Sequence, residues 1–117
     1  MPRSRSFVDL LLAPDGQVKQ DQGKRRYDLI PPRVLALIAD VFTHGTKHDK
    51  PRDRTPGYLK VKNAKGLYTQ ALFRHWEAWR GGERLDESGL PHLAHVASNA
   101  IILLALELRV QERRKRS

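Results

Sequence analysis

Cysteine is absent from all 117 residues of this sequence. Disulfide bonds, thiolate zinc sites and cysteine nucleophiles are therefore excluded, and a reducing compartment is favoured. Long hydrophobic runs are lacking too, because the longest, residues 100–106, is far too short to span a bilayer. The basic start of the chain has no apolar stretch behind it of the kind that a signal peptide needs. We expect a cytoplasmic protein that does not bind membranes.

Several common signatures of nucleotide and nucleic-acid binding are also missing. Neither GxGxxG nor the GxxxxGK pattern of a P-loop occurs, so no glycine-rich loop is available to cradle phosphates. Aromatic residues make up only 7% of the chain, and Tyr58 and Tyr68 alone accompany the basic residues. That is too few for a stacking platform that binds single-stranded nucleic acid. No spacing supports a Ser-His-Asp triad or a helix-turn-helix.

What the sequence does have is an excess of positive charge. Lysine and arginine total 22 against 13 acidic residues, which gives a net charge of +9. The basic residues concentrate in residues 1–26, 44–66 and 109–117, whereas the patterned segments between them are net acidic. Such charge favours a partner rich in phosphate. Because the charge lies in tails and one loop, we expect a small phosphate ligand first and rank nucleic acid below it.

The spacing of apolar residues predicts three main helices and nothing that resembles a sheet. The first covers about residues 32–44, with Pro32 in its first turn, and the second covers about residues 67–80. The third starts near residues 88–91, with Ser88 as a candidate cap, and continues to about residue 112. The sequence therefore predicts an all-α fold, a small helical bundle of about three main helices.

The remaining segments are polar and basic. Residues 45–66 form a long loop rich in lysine, arginine, proline and glycine, and loops of this length are usually functional or disordered. We expect a basic N-terminal segment (1–26), a single helical domain (27–112) and a basic tail (113–117).

Residues 100–106 of the third helix are apolar around its whole circumference. A helix of this kind must be buried on every side, and three short helices cannot surround it. We therefore expect a homodimer or homotetramer that shares this helix.

The same helix carries His92, His95 and Asn99 on one face, at positions i, i+3 and i+7. Two imidazoles so placed can share a metal ion or reach one phosphate group. The alternative, in which these are polar residues hydrogen-bonded within a helix interface, is about equally consistent with the spacing. The pattern therefore indicates a candidate site without fixing its ligand.

Two carboxylates, Glu83 and Asp86, precede the third helix. Carboxylate oxygens are the ligands that Mg²⁺ and Mn²⁺ prefer, but acidic residues near a helix N-terminus also simply favour its dipole. On the second helix, His75 adds a third imidazole beside Arg74, a side chain that can bind phosphate through two hydrogen bonds.

The ordered combination of these residues resembles a known family. The matching positions are Tyr27-Asp28-Leu29-Ile30-Pro31-Pro32, Gly45, Lys47, Arg74-His75, Trp79, Gly82-Glu83, Asp86-Glu87-Ser88-Gly89, His92, His95 and Asn99. Over roughly residues 24–108 the chain resembles the mostly phage-encoded dATP/dGTP diphosphohydrolase N-terminal domains. The resemblance implies metal-dependent hydrolysis of deoxypurine triphosphates to monophosphate and pyrophosphate. The chain is also similar to all-α MazG-like pyrophosphohydrolases, which work as oligomers, although their acidic pairs ExxE and ExxD are not evident.

The leading hypothesis gives each candidate residue a role. Glu83 and Asp86 are expected to bind the metal ion, Mg²⁺ or Mn²⁺, and to act in catalysis together with His92. Substrate binding is assigned to Lys47, Arg74, His75, His95 and Asn99.

Two other functions fit the same sequence. A non-catalytic phage protein that sequesters a phosphorylated defence signal would use the same basic loop and histidine face, without a full set of acidic residues. A DNA-binding accessory protein would use the basic tails, and its affinity would fall steeply with salt. The DNA-binding hypothesis ranks last because it gives no role to the histidines on one face of the third helix.

Overall fold

The computed structural model describes residues 23–45 and 57–116. The chain divides into two units, residues 1–30 and 31–117. In the described part of the first unit, Tyr27–Leu29 form a single 3₁₀ turn. The rest of the predicted basic N-terminal segment lies outside the described residues.

The second unit is built from three α-helices: α1 (Pro32–Gly45), α2 (Ala64–Arg80) and α3 (His92–Arg116). Within the described ranges there is no strand, so the predicted all-α class and small bundle are confirmed. Helix α3 packs most extensively against α2 and also against α1. Of the predicted long loop, residues 46–56 lie outside the described part, and Gly57–Leu59 form a 3₁₀ turn against α3.

Helix α2 begins earlier than its apolar pattern predicts, at Ala64 instead of Leu67. Asn63, just before it, adopts a left-handed backbone with φ 54°, which asparagine tolerates better than most residues. Ala64 is buried, so the extra turn starts against the body of the bundle. Local apolar spacing does not reveal this turn, because its first residues are alanine, lysine and glycine.

The end of α2 is a Schellman motif, and the helix ends at Arg80 as the sequence predicts. Gly82 has φ 103° and donates its N–H to the carbonyl of Trp79. Glu83 donates its N–H to the carbonyl of Ala78 across the last turn. Glycine accepts this positive φ without strain, and the two bonds satisfy carbonyls that the helix end leaves open. The backbone of Glu83 is thereby fixed next to α2.

Helix α3 begins at His92, four residues after the predicted cap at Ser88, and that prediction is wrong. Residues 84–91 instead fold into a closed turn. The backbone N–H of Asp86 donates to Leu90, and that of His92 donates to Arg84, at 2.9 and 2.8 Å. Because Ser88 lies inside this turn, its side chain hydrogen-bonds to Asp86 and does not cap the helix.

The inward face of α3 is unusually polar. His92, Ser98 and Asn99 are buried there together with Ala94 and Ile102. The hydroxyl of Ser98, 2% exposed, donates to the carbonyl of Ala94 at 2.8 Å, so this buried polar atom has its partner within the helix. The centre of the bundle therefore holds polar chemistry as well as an apolar core.

The outward face of α3 leaves large apolar side chains exposed, among them Leu93, Ile101 and Leu104. By length and composition alone, the helix over His92–Lys115 could cross a membrane, because it contains an 18-residue stretch with a mean hydropathy of 1.6. Core helices of soluble proteins pass the same test, and although only 28% of this stretch is buried, it carries a buried histidine and a buried asparagine, which are rare on a lipid-facing helix. The homodimer or homotetramer stays a prediction.

Neighbouring isoleucines on α3 give a matched test of this packing. Ile102 is 7% exposed and Ile101 is 40% exposed. We expect Ile102→Ala to lower the free energy of unfolding by about 2–5 kcal/mol, because it opens a cavity between the helices. Urea denaturation followed by circular dichroism measures the loss. An Ile102→Ala protein as stable as the wild type would contradict the described core.

The Ile101→Ala variant tests the predicted oligomer. If a second copy covers the outward face of α3, this variant shifts the assembly toward monomer and makes unfolding depend more strongly on protein concentration. Light scattering over a micromolar concentration series measures the mass. The oligomer would be excluded if the wild type is a monomer at these concentrations and Ile101→Ala changes neither the mass nor the concentration dependence of unfolding.

Candidate metal centre

Three side chains from different parts of the second unit converge in a cluster. His75 comes from α2, Asp86 from the closed turn and His95 from α3, and their nearest ligand atoms all lie within 4.8 Å of one another. The side chains of His95 and Asp86 are only 12% and 14% exposed. Nitrogen and oxygen donors this close together, and largely shielded from water, could hold one metal ion.

The closed turn positions the carboxylate of Asp86. Its Oδ1 accepts a hydrogen bond from the backbone N–H of Ser88 at 2.9 Å and a second, short one from the Ser88 hydroxyl. Its Oδ2 lies 2.8 Å from Nε2 of His95. One carboxylate oxygen is thus held by the turn while the other faces the histidine, which is how proteins orient a carboxylate ligand.

The contact between Asp86 and His95 is short but lacks the alignment of a hydrogen bond. Nε2 of His95 is buried and has no hydrogen-bond partner within the described residues. A buried polar atom without a partner is costly, and a carboxylate oxygen with an imidazole nitrogen beside it makes a typical pair of metal ligands. This pair therefore fits a cation that both atoms contact.

The rings of His75 and His95 stack in parallel, with centroids 4.2 Å apart and 7° between their planes. Burial lowers the pKa of His75, and the neighbouring His95 and His92 lower it further. Burial likewise lowers the pKa of His95, although the Asp86 carboxylate opposes this effect. Both rings are therefore biased toward the neutral form, which is the form that binds metal ions.

The carboxyl of Asp86 is biased toward its charged form. Burial alone would raise its pKa, but the hydrogen bonds from Ser88 and the nearby His95 outweigh burial, so the pKa falls below its usual value. Two neutral imidazoles and one carboxylate form the donor set. This set fits a divalent transition metal, because imidazole suits zinc, iron and similar ions, whereas Mg²⁺ favours sites made of oxygen alone.

Two further candidate residues lie beside the cluster. Nδ1 of His92 is 2.8 Å from Nδ1 of His75, and His92 is itself buried. Nε2 of His92 lies 3.5 Å from a carboxylate oxygen of Glu83, whose side chain is 65% exposed. Glu83 thus lies outside the three-residue cluster and contacts it through His92.

A cavity of about 830 Å³ opens onto the cluster. His75 and His95 form part of its wall, and other residues of α1, α2, α3 and the segment 57–61 line the rest of this open cavity. Arg74 and Asn99 also line it. Its volume is within the range of sites that bind small molecules and cofactors.

Most of the predicted site residues meet at this cavity or next to it. His75, Asp86 and His95 form the cluster, Glu83 and His92 stand beside it, and Arg74 and Asn99 line the cavity. The Asn99 amide donates to the carbonyl of His95 at 2.8 Å, so Asn99 also braces the turn of α3 that carries the histidine. Lys47 lies outside the described residues.

Sequence reasoning missed an aromatic pair on the cavity wall. Phe42 from α1 and Tyr58 from the 3₁₀ turn meet edge to face, with centroids 5.5 Å apart, and both line the cavity. No local pattern distinguishes such residues from ordinary core aromatics. The role of Ser88 had a local signal, since a serine two residues after an aspartate is typical of an Asx turn.

The fold and the cluster together define an all-α protein with a two-histidine, one-aspartate candidate metal centre beside a cavity large enough for a small molecule. The family model described as dATP/dGTP diphosphohydrolase, N-terminal, matches residues 14–116. The chain therefore belongs to this family. Comparison with curated proteins and with solved structures returned no match.

Removal of a cluster ligand is expected to abolish tight metal binding. We expect His95→Ala and Asp86→Asn each to weaken the binding of Mn²⁺ or Zn²⁺ at least about tenfold. Isothermal titration calorimetry, or electron paramagnetic resonance with Mn²⁺, measures the affinity. The control is Glu87→Gln, which removes an exposed carboxylate next to Asp86 that is outside the cluster. Equal losses in Asp86→Asn and Glu87→Gln would show that general negative charge, and not this cluster, attracts the metal.

Proposed function

We propose that this protein hydrolyses dATP and dGTP to the monophosphate and pyrophosphate with the help of a divalent metal ion. The observation that carries the proposal is that two members of the metal-ligand cluster, His75 and His95, line the cavity of about 830 Å³, with Asp86 beside them. Membership of a family described as dATP/dGTP diphosphohydrolase, N-terminal, supports the same reaction and substrates. We expect the reaction in the cytoplasm, where deoxynucleotides are used.

His75, Asp86 and His95 would hold the metal ion. A bound divalent cation lowers the pKa of a water molecule and neutralises negative charge on phosphate oxygens. Because the donor set contains two imidazoles, we infer that Mn²⁺ or another transition metal fits it better than Mg²⁺. The role of Glu83 as a direct metal ligand receives less support, since its carboxylate is on the far side of His92.

Other residues of the cavity would bind the two ends of the nucleotide. Arg74 lies next to His75 and can hold phosphate oxygens through charge-assisted hydrogen bonds. Phe42 and Tyr58 offer an apolar, aromatic wall suited to a purine base. Lys47 is predicted to assist with phosphate from the basic loop.

The reaction needs water to attack the α-phosphorus while the bond to the β-phosphate oxygen breaks and pyrophosphate leaves. The chain supplies two conditions for this step. First, the cavity walls would hold the triphosphate against the cluster. Second, the charged carboxylate of Asp86 and the neutral imidazoles of His75 and His95 would bind the cation without first having to release protons.

A second function has its own support. Within the described residues the cluster contains a single carboxylate. The MazG-like pyrophosphohydrolases, to which the sequence is similar, use two acidic pairs. Such a site could bind a nucleotide without hydrolysing it, as a protein that sequesters a phosphorylated defence signal would. Recovery of intact nucleotide from a tight complex after denaturation would favour this function over catalysis.

Direct assay tests the proposed reaction. Purified protein incubated with dGTP or dATP and Mn²⁺ is expected to release pyrophosphate and the deoxynucleoside monophosphate, identified by ion-exchange chromatography. ATP and GTP serve as comparison substrates. Absence of pyrophosphate with every divalent metal tried, or release of orthophosphate in its place, would contradict the proposal.

A matched pair of arginines on α2 tests phosphate binding. Arg74 lines the cavity, whereas Arg80 pairs with Glu77 at 2.9 Å on the exposed surface. We expect Arg74→Ala to lower kcat/KM for dGTP about 10- to 100-fold, which is the loss of one charge-assisted hydrogen bond. Arg80→Ala should leave kcat/KM unchanged. Similar effects from both variants would remove Arg74 from the site.

A further inference from the structure

His92, to which the sequence assigns a catalytic role, is buried, and the reaction as proposed from the metal cluster does not use it directly. It is 6% exposed and contacts His75 behind the cavity wall, and its Nε2 has no hydrogen-bond partner within the described residues. Buried polar groups of this kind usually have a structural or functional reason. His92 lies between His75 on one side and the exposed carboxylate of Glu83 on the other.

We propose that Glu83 and His92 form a relay that fixes the tautomer of His75 and so leaves Nε2 of His75 free to bind the metal ion. In this relay Glu83 and His92 are positioning residues and His75 is the ligand. The inference rests on the metal site of the proposed function and not on the hydrolysis itself.

The relay starts from a property of the carboxylate. A carboxylate such as that of Glu83 accepts hydrogen bonds and cannot donate them, and its Oε1 lies 3.5 Å from Nε2 of His92. A neutral imidazole carries one N–H, and the nearby negative charge favours its position on the nitrogen that faces Glu83. Nδ1 of His92 is then a bare acceptor. Because 3.5 Å is too long for a strong hydrogen bond, Glu83 acts mainly through its charge.

The second step follows from the contact between the two histidines. Their Nδ1 atoms are 2.8 Å apart, a distance that requires one shared proton between them. Since Nδ1 of His92 accepts, the proton belongs to Nδ1 of His75. A neutral His75 then keeps the lone pair on Nε2. Metal-binding histidines commonly use their other ring N–H in this way, on a partner that fixes ring orientation and tautomer.

The same logic separates the roles of two carboxylates that look alike in the sequence. Asp86 touches His95 directly and belongs to the ligand cluster. Glu83 reaches His75 only through His92. Asp86 would thus bind the metal ion, and Glu83 would determine which ring nitrogens of His92 and His75 carry a proton.

Long-range ¹H–¹⁵N NMR spectra of the unmodified protein without metal test the relay directly. The expected result is a proton on Nε2 of His92 and on Nδ1 of His75. Protons on the opposite nitrogens would overturn the inference. A matched pair of exposed carboxylates adds a control: Glu83→Ala should change the tautomer populations of His92, whereas Glu87→Ala should leave them unchanged. Equal spectra for both variants would also overturn it.

Calorimetry with Mn²⁺ alone tests the consequence for binding. We expect His92→Leu to weaken Mn²⁺ affinity about 10- to 100-fold. His92→Asn should restore most of it, because the asparagine carbonyl can accept from His75 where Nδ1 does. A folded His92→Leu protein that binds Mn²⁺ as the wild type does would overturn the inference. If circular dichroism shows that His92→Leu is unfolded, the NMR result on the wild type decides.

The outcomes for the relay and for the reaction can be told apart. Mn²⁺ binding with the expected tautomers, but without release of pyrophosphate from dGTP, would support the relay and contradict the proposed function. Hydrolysis of dGTP with His75 protonated on Nε2 would support the function and overturn the relay. A wild-type protein that binds neither Mn²⁺ nor Zn²⁺ would overturn both.

Discussion

The parallel contact between His75 and His95 is the interaction on which the rest of the site depends. It joins α2 to α3 at the inner end of the cavity, with ring centroids 4.2 Å apart. Two half-buried imidazoles can stack this closely only when they are not both charged, and partial burial lowers the pKa of each. The contact that packs the two helices therefore also keeps both rings in the form that binds a metal ion.

The connection between α2 and α3 determines where the acidic residues go. A Schellman motif fixes Glu83 at the end of α2, and the closed turn that follows aims Asp86 at His95. Hydrogen bonds from Ser88 hold Asp86 in its charged form despite burial. Because backbone hydrogen bonds close this short segment on itself, it can hold a carboxylate in place without being part of a helix.

The helices could be predicted from the sequence because their signals are local, as with Pro32 at the start of α1 and Gly82 after α2. The histidine face of α3 was predictable for the same reason. The different surroundings of Glu83 and Asp86 were not, because their spacing is the same whether both face a metal or only one does. That difference arises from the closed turn, which depends on bonds between residues up to eight positions apart. The position of Phe42 beside Tyr58 depends on tertiary packing and leaves no local trace.

Function and stability compete inside this small bundle. Among the described residues, the buried apolar side chains are Ala64, Ala94 and Ile102, while an equal number of buried residues are polar, with a histidine and an asparagine among them. Polar residues at the centre supply less hydrophobic stabilisation than leucine or valine would, and each needs a partner. Nε2 of His95 makes no aligned hydrogen bond within the described part of the chain, although the Asp86 carboxylate lies 2.8 Å from it. A bound cation would coordinate this nitrogen. Because the metal site exists only in the folded protein, the cation would stabilise the folded bundle at the place where its centre is least apolar.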